Sequence, residues 1–181
     1  MNGKFLLSLF AALSLLFPVQ SSFLHAQIVS GPRVEITITD ELVPAPGEIR
    51  TAQRDSTGAL ITRPGDVIRY TLTAVNSGTQ PAYEAEIVDP IPEGTEYFIG
   101  SASGDGMTIT YSIDDGNFFQ PQPITYEFRN PDGTIEKRPA APDMYTHIKW
   151  LVTKPIQPRS SVSATFRVRV SLPDTTKEVR Q

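Results

Sequence analysis

Few side chains in this sequence could do chemistry. Histidine occurs twice, at His25 and His147, and His25 belongs to an N-terminal stretch that reads as removable. His147 is then the one candidate general base for a Ser-His-Asp arrangement. Alternation in Thr146-His147-Ile148-Lys149-Trp150 sets it opposite Trp150, facing outward, and no strained strand-to-helix elbow presents a nucleophile. Paired carboxylates can cleave glycosides. Here Asp114-Asp115 belongs to a turn sequence, and Glu84 and Glu86 to an outward strand face. Calcium takes about 6–8 oxygens, which loops can supply. Asp105, Asp114, Asp115, Asn117, Asn130 and Asp132 all fall in loops. The same residue types are what tight turns require, and no EF-hand spacing is present. A Lys–Asn isopeptide lock needs a buried strand lysine, but Lys149 falls on the face opposite Trp150. The expectation is a chain with no catalytic residues, no metal and no cofactor; among the chemical alternatives calcium, at Asp105, Asp114, Asp115, Asn117 and Asp132, stands ahead of the isopeptide lock and of nucleophilic catalysis.

The elements that would position these residues are strands. The stretch from Gly65 to Phe98 organises the chain: Ile68, Tyr70, Leu72 and Ala74 share one face, with Arg69, Thr71 and Thr73 on the other. Asn76-Ser77-Gly78 supplies a turn, since Gly tolerates positive φ and Asn can bond its own backbone. Ala85 and Ile87 then point inward, with Glu84, Glu86 and Val88 outward, and Pro90 and Pro92 end the run because neither can donate to a ladder. Upstream, Val34, Ile36 and Ile38 alternate with Glu35, Thr37 and Thr39 in a first strand rich in β-branched residues. It is a candidate sheet edge, on which proline at Thr37 would block a partner strand. Asp40 to Pro64 is an irregular excursion with a small hairpin expected around Ser56–Gly58, and is either a binding loop, a mobile insert or a cover over that edge.

Downstream, Gly100 to Gly106 reads as a loop, and Met107, Ile109, Tyr111 and Ile113 alternate. Asp114-Asp115-Gly116-Asn117 leads into Phe118-Phe119 as a hairpin. Ile124, Tyr126 and Phe128 pair across Asn130-Pro131-Asp132-Gly133 with a short return from Thr134 to Lys137, and Pro139 to Pro142 is a flexible crossing. The last two strands are the clearest, with Ile148, Trp150 and Val152 on one face, then Val162, Ala164, Phe166, Val168 and Val170. Short strands, regular turns and no helix-period segment predict an all-β, antiparallel β-sandwich of the immunoglobulin-like kind, with about seven to nine strands. Its core is expected to include Tyr70, Leu72, Ile87, Trp150, Phe166 and Val168.

The ends and the composition restrict the partners. Lys4, the apolar run Phe5 to Phe17 and Leu24-His25-Ala26 form a signal-peptide pattern, with cleavage after Ala26, or after Ser21 as the weaker alternative. The organisation is then a signal peptide at 1–26, one sandwich domain at 27–172 with the irregular insert 40–64, and a flexible tail at 173–181. The net charge of −4, without a basic cluster, gives no phosphate-binding surface. No cysteine is present, so disulfides and thiolate sites are excluded. No later segment is apolar for long enough to span a bilayer.

Five pieces, GDVIRYTLTAVNSG, EIVDPIPEGTEY, TYSIDDGNF, DMYTHIKW and SSVSATFRVRV, cover about Arg63 to Val170. They resemble the bacterial immunoglobulin-like repeat family catalogued as domain of unknown function eleven, here in a single copy. The resemblance implies an immunoglobulin-like sandwich in a secreted or envelope-associated protein, with no general catalytic residues. The function expected is a non-catalytic module, outside the cytoplasm in the periplasm or at the outer surface, that binds an envelope or extracellular protein or packs into a surface assembly. No nucleic-acid partner is expected. The alternative is a carbohydrate-binding or small accessory hydrolytic sandwich, which would need Phe118, Phe119 and Tyr145 clustered as an exposed stacking platform.

Overall fold

The computed structural model describes residues 31–172. The signal peptide read at 1–26 and the tail read at 173–181 lie outside the described residues. Ten strands are present among them, in antiparallel sheets with one short 3-10 turn at Pro142–Met144 and no longer helix. One sheet runs β1 (Val34–Val43), β2 (Val67–Asn76), β10 (Ser161–Val170) and β4 (Thr95–Tyr97), with β5 (Ser103–Gly104) also against β10. The second sheet runs β3 (Glu86–Pro90), β9 (His147–Val152) and β6 (Met107–Ser112). A two-stranded hairpin of β7 (Thr125–Arg129) and β8 (Ile135–Pro139) stands apart from both.

The two main sheets close an all-β sandwich, not a barrel, because among the described residues β1 pairs with β2 alone and β3 with β9 alone. In an antibody constant domain the last strand lies in the three-stranded sheet. Here β10 lies in the larger one, between β2 and β4. The strand count exceeds the expected range for identifiable reasons. The Gly100–Gly106 stretch is no simple loop, since Ser103 and Gly104 pair with Thr165 and Ala164. The return after the Asp114–Asn117 turn, by contrast, amounts to a single bridge between Tyr111 and Gln120.

The alternation read in the sequence sorts the core. Leu72, Ile87, Trp150, Phe166 and Val168 are fully buried, whereas Tyr70 is half-buried and stacks on Phe166 with centroids 5.2 Å apart. Trp150 lies opposite Ile87 on one neighbour and Ile109 on the other, so it occupies the middle of its sheet. At one end of the sandwich the rings of Tyr97, Tyr111 and Tyr145 pack within 5.2–5.8 Å of one another. Burial raises the Tyr111 hydroxyl pKa far above its ordinary value, and its bond to Tyr97 raises it further. The Pro139–Pro142 crossing is pinned: Ala140 is buried and its N–H donates to the Ile124 carbonyl at 2.9 Å.

Candidate interaction surface

Among the described residues, the side chains that could do chemistry do not gather into one site. Asp114 accepts from the Ser112 hydroxyl at 2.6 Å and the Phe118 N–H at 3.0 Å, and these bonds hold its pKa below the ordinary range. Asp132 is likewise lowered by the Thr134 hydroxyl, at 2.6 Å, and the Thr134 N–H, at 2.9 Å. Asn117 donates to the Asp114 carbonyl, and Asn130 holds Thr134 and Arg138. Asp115 sits at φ 58° in its turn, its N–H on the Thr146 hydroxyl, and Asp105 is exposed in the turn between β5 and β6. Among the described residues no three His, Cys, Asp or Glu side chains gather as a metal-binding group.

His147 does not face open solvent as alternation alone implies. The turn at Gly116 covers it so closely that a methyl group there would meet the ring at 3.4 Å, and its Nδ1 is buried without a partner. Lys149 lies 3.6 Å from Glu86 and 4.7 Å from the Phe119 ring centroid, on the outer face. Glu84 stands exposed at φ 50° before β3. The stacking platform that the carbohydrate-binding alternative requires does not assemble. Phe118 is exposed, Phe119 is half-covered beneath Lys149, and Tyr145 is buried in the tyrosine cluster. A cleft of about 270 Å³ beside Leu42, Pro46, Arg50 and Phe98 offers one aromatic ring, and the Arg167 guanidinium covers it at 4.5 Å.

One half-buried acid is marked by no sequence motif. Asp89 lies on the Ile87 side of β3, opposite Ile148, and burial raises its pKa despite the countering charge of His147. The folded protein therefore holds this proton more tightly than the unfolded chain. Stability falls as pH rises from the ordinary value of 3.8 through the raised one, and stays reduced above it. Asp89→Asn should then melt higher than the parent near pH 7, with the two converging near pH 3. Equal or lower melting of the variant at neutral pH would show that the carboxylate is compensated.

Among the described residues, the surface left open is the free edge of β1. Ser77 N–H donates to the Arg33 carbonyl at 2.8 Å and Thr79 N–H to the Gly31 carbonyl at 3.0 Å. The register then continues without a break from Val34 opposite Asn76 to Val43 opposite Val67. Hydrogen-bonded and non-bonded pairs alternate along an antiparallel ladder. Glu35, Thr37, Thr39 and Glu41 therefore turn their main-chain groups to β2, and Val34, Ile36, Ile38, Asp40 and Leu42 turn theirs outward. On the face shared with Leu72 and Ala74, Val34, Ile36 and Ile38 remain 37%, 47% and 50% exposed. They line up with the core positions of β2 yet extend past the narrower second sheet.

The insert covers only one end of this edge. Arg54 donates to the Asp40 carbonyl at 2.7 Å and to its carboxylate at 3.1 Å, and is itself held by the Gly58 carbonyl at 2.8 Å. The expected small hairpin supports it, through a bridge between Arg54 and Leu60. Its turn is shaped by Asp55, which accepts from the Thr57 hydroxyl and N–H and the Ala59 N–H. Those bonds lower the Asp55 pKa. The insert's second anchor is the Arg50–Asp66 ion pair. Burial pushes the Asp66 pKa up, but the Arg50 guanidinium and the Arg63 N–H override it and leave it below the ordinary range. The insert is thus tied at two Arg–Asp pairs, and Val34 to Ile38 stays open. Thr37 directs its N–H to β2, so proline there would break the internal ladder; Ile36 and Ile38 are the positions that test the edge. The period of two in the sequence fixes which side chains share a face, but not which main-chain groups point outward, because that depends on the register with β2.

No protein-family model, curated protein or solved structure matches this chain.

Proposed function

We propose that this chain is a non-catalytic, exported interaction module, a single copy of the bacterial immunoglobulin-like repeat type, that engages a protein by strand addition at β1. The observation that carries the reading is the open run Val34–Ile38. It has outward main-chain groups, an exposed apolar row and none of the Lys, Pro or bulge devices that usually protect an edge. Main-chain bonds along it supply affinity, and the Val34, Ile36 and Ile38 side chains supply selectivity. The export pattern at 1–26 supports a location outside the cytoplasm, and with it an envelope or extracellular protein as the partner.

Ile36→Pro removes one outward donor without breaking the β1–β2 ladder. It should abolish capture of envelope proteins while the variant still unfolds cooperatively. Replacing residues 50–60 by a short Gly-Ser linker should spare capture, since the insert covers only Asp40. Capture that survives Ile36→Pro but is lost with the insert would move the function to the loop. Capture that survives both would leave the reading without a surface.

A further inference from the structure

We infer that the edge of β1 is built to pair with the β1 edge of a second copy of this chain, antiparallel and centred on Ile36. The inference rests on reading β1 as the interaction edge and names its occupant.

The argument is one of register. A twofold antiparallel pairing must match outward residues with outward residues, so only certain centres are available. Centred on Ile36, the pairing sets Ile36 against Ile36 of the second copy and Val34 against its Ile38, on both sides of the axis. About six main-chain hydrogen bonds result. The next outward residue, Asp40, then meets Pro32 of the second copy. The Asp40 carbonyl is already occupied by Arg54, and proline has no N–H to offer. At that position only the Asp40 N–H and the Pro32 carbonyl remain to pair, and the missing proline N–H falls opposite the one carbonyl that already has a donor.

Neighbouring registers fail on the same groups. Centring on Thr37 aims the Val34 N–H at the occupied Asp40 carbonyl, and centring on Ile38 does the same to Ile36. Centring on Glu35 opposes the two Glu35 side chains, a destabilising like-charge pair. It also leaves the Ile38 carbonyl facing Pro32.

Side chains agree with the Ile36 centre. On one face the exposed row of Val34, Ile36 and Ile38 meets the same row of the second copy. On the other, Glu35 lies opposite Thr37 and Arg33 opposite Thr39, so no like charges are directly opposed. Glu35 also keeps its own Arg33 partner at 3.0 Å. A contact of this size is smaller than a standard stable interface, so the dimer should dissociate in about the micromolar range or weaker.

The absence of cysteine makes the register directly measurable. Glu35 and Thr37 of opposite copies form a non-hydrogen-bonded pair, with Cα atoms about 4.5 Å apart, within disulfide range. Glu35→Cys mixed with Thr37→Cys should cross-link under mild oxidation, and neither variant alone should do so. Sedimentation of the purified chain between about 1 and 500 μM should show a reversible dimer. Ile36→Lys, which sets two ammonium groups against each other at the axis, should remove it. Ile36 is about half exposed, so the melting temperature of this variant should stay near the parent's. Ile38→Lys, at another exposed position, provides the same test should Ile36→Lys fold poorly.

Cross-linking of Thr37→Cys alone, or of Glu35→Cys alone, would overturn the register. A parent chain that stays monomeric throughout would overturn the dimer. If Ile36→Pro nonetheless abolishes envelope capture, the edge reading stands and its occupant is a foreign strand. If capture is also indifferent to Ile36→Pro, both fall.

Discussion

Trp150→Ala is expected to destabilise the domain by about 3–5 kcal/mol, the usual cost of truncating a large buried aromatic. For a domain of this size that corresponds to a loss of roughly 10–20 °C in melting temperature. Trp150 is fully buried, flanked in its sheet by Ile87 and Ile109, and faces Phe166 across the sandwich with ring centroids 5.9 Å apart. Gly104 backs the indole: a Cβ there would come within 3.2 Å of its Cδ1 and 2.5 Å of the Met107 sulfur. Neighbours held in two paired sheets cannot collapse into the space, so most of the cavity persists. The indole Nε1 is buried without a hydrogen-bond partner, and an orphaned donor costs about 1–3 kcal/mol. Trp150→Phe deletes that donor along with part of the volume, and should cost roughly half as much as alanine or less. Chemical denaturation of both variants separates the effects. A loss under about 2 kcal/mol for Trp150→Ala would mean the core relaxes around the gap.

Trp150 also marks what could be read in advance. Its strand shows the period of two with no competing signal, so face, burial and centrality follow from spacing alone. The same holds for Leu72 on β2 and for Phe166 and Val168 on β10, whose alternation coincides with the observed burial. On β1 the identical signal misleads about burial. Val34, Ile36 and Ile38 occupy core-facing positions, yet stay exposed because the second sheet is only three strands wide. Sheet width is set by long-range pairing, and no local pattern encodes it. Arg54 and Asp40 are far apart in sequence, and nothing in the charged run of the insert singles out that pair from its neighbours. Asp89 was hidden because the motif around it reads as a proline corner, whereas β3 continues through Asp89 and Pro90 with the carboxylate still on the inward side. Tyr145, which the carbohydrate alternative needs at the surface, is buried, because its partners Tyr97 and Tyr111 come from distant strands.

Asn76 shows the same limit at a turn, and its replacement should have the second-largest effect. The sequence explains one of its bonds, the Gly78 N–H that its own Oδ1 accepts at 3.0 Å. The structure adds three more. Oδ1 also accepts from the Arg33 N–H at 3.2 Å, and Nδ2 donates to the Gln80 and Ile156 carbonyls at 2.8 Å each. The residue is fully buried, and its bond to the Ile156 carbonyl is buried at both ends. Gly78 belongs to the same junction: a Cβ there would lie 2.3 Å from the Gly31 carbonyl oxygen and 2.5 Å from the Arg33 nitrogen, which only glycine avoids. Asn76→Ala strips the Arg33 and Gly78 N–H groups of their acceptor and takes a donor from two carbonyls, though Ile156 keeps the Ala82 N–H. The two orphaned N–H groups, of Arg33 and Gly78, are only partly buried, so each falls at about 1–2 kcal/mol, and a total of about 2–4 kcal/mol is expected. The damage should be local first, since Gly31 to Arg33 lose one of their ties to the end of β2. Amide exchange at Glu35 should then accelerate more than exchange at Leu72. Asn76→Asp makes the complementary test. It retains the acceptor but aims a buried carboxylate at two carbonyl oxygens, so its pKa rises in the folded state. Its stability should therefore fall as pH climbs above the ordinary carboxyl range, and recover on acidification as the protonated acid donates again. An Asn76→Ala variant within about 1 kcal/mol of the parent, with Glu35 still protected, would mean that β1 is held by its ladder alone and that this corner contributes little.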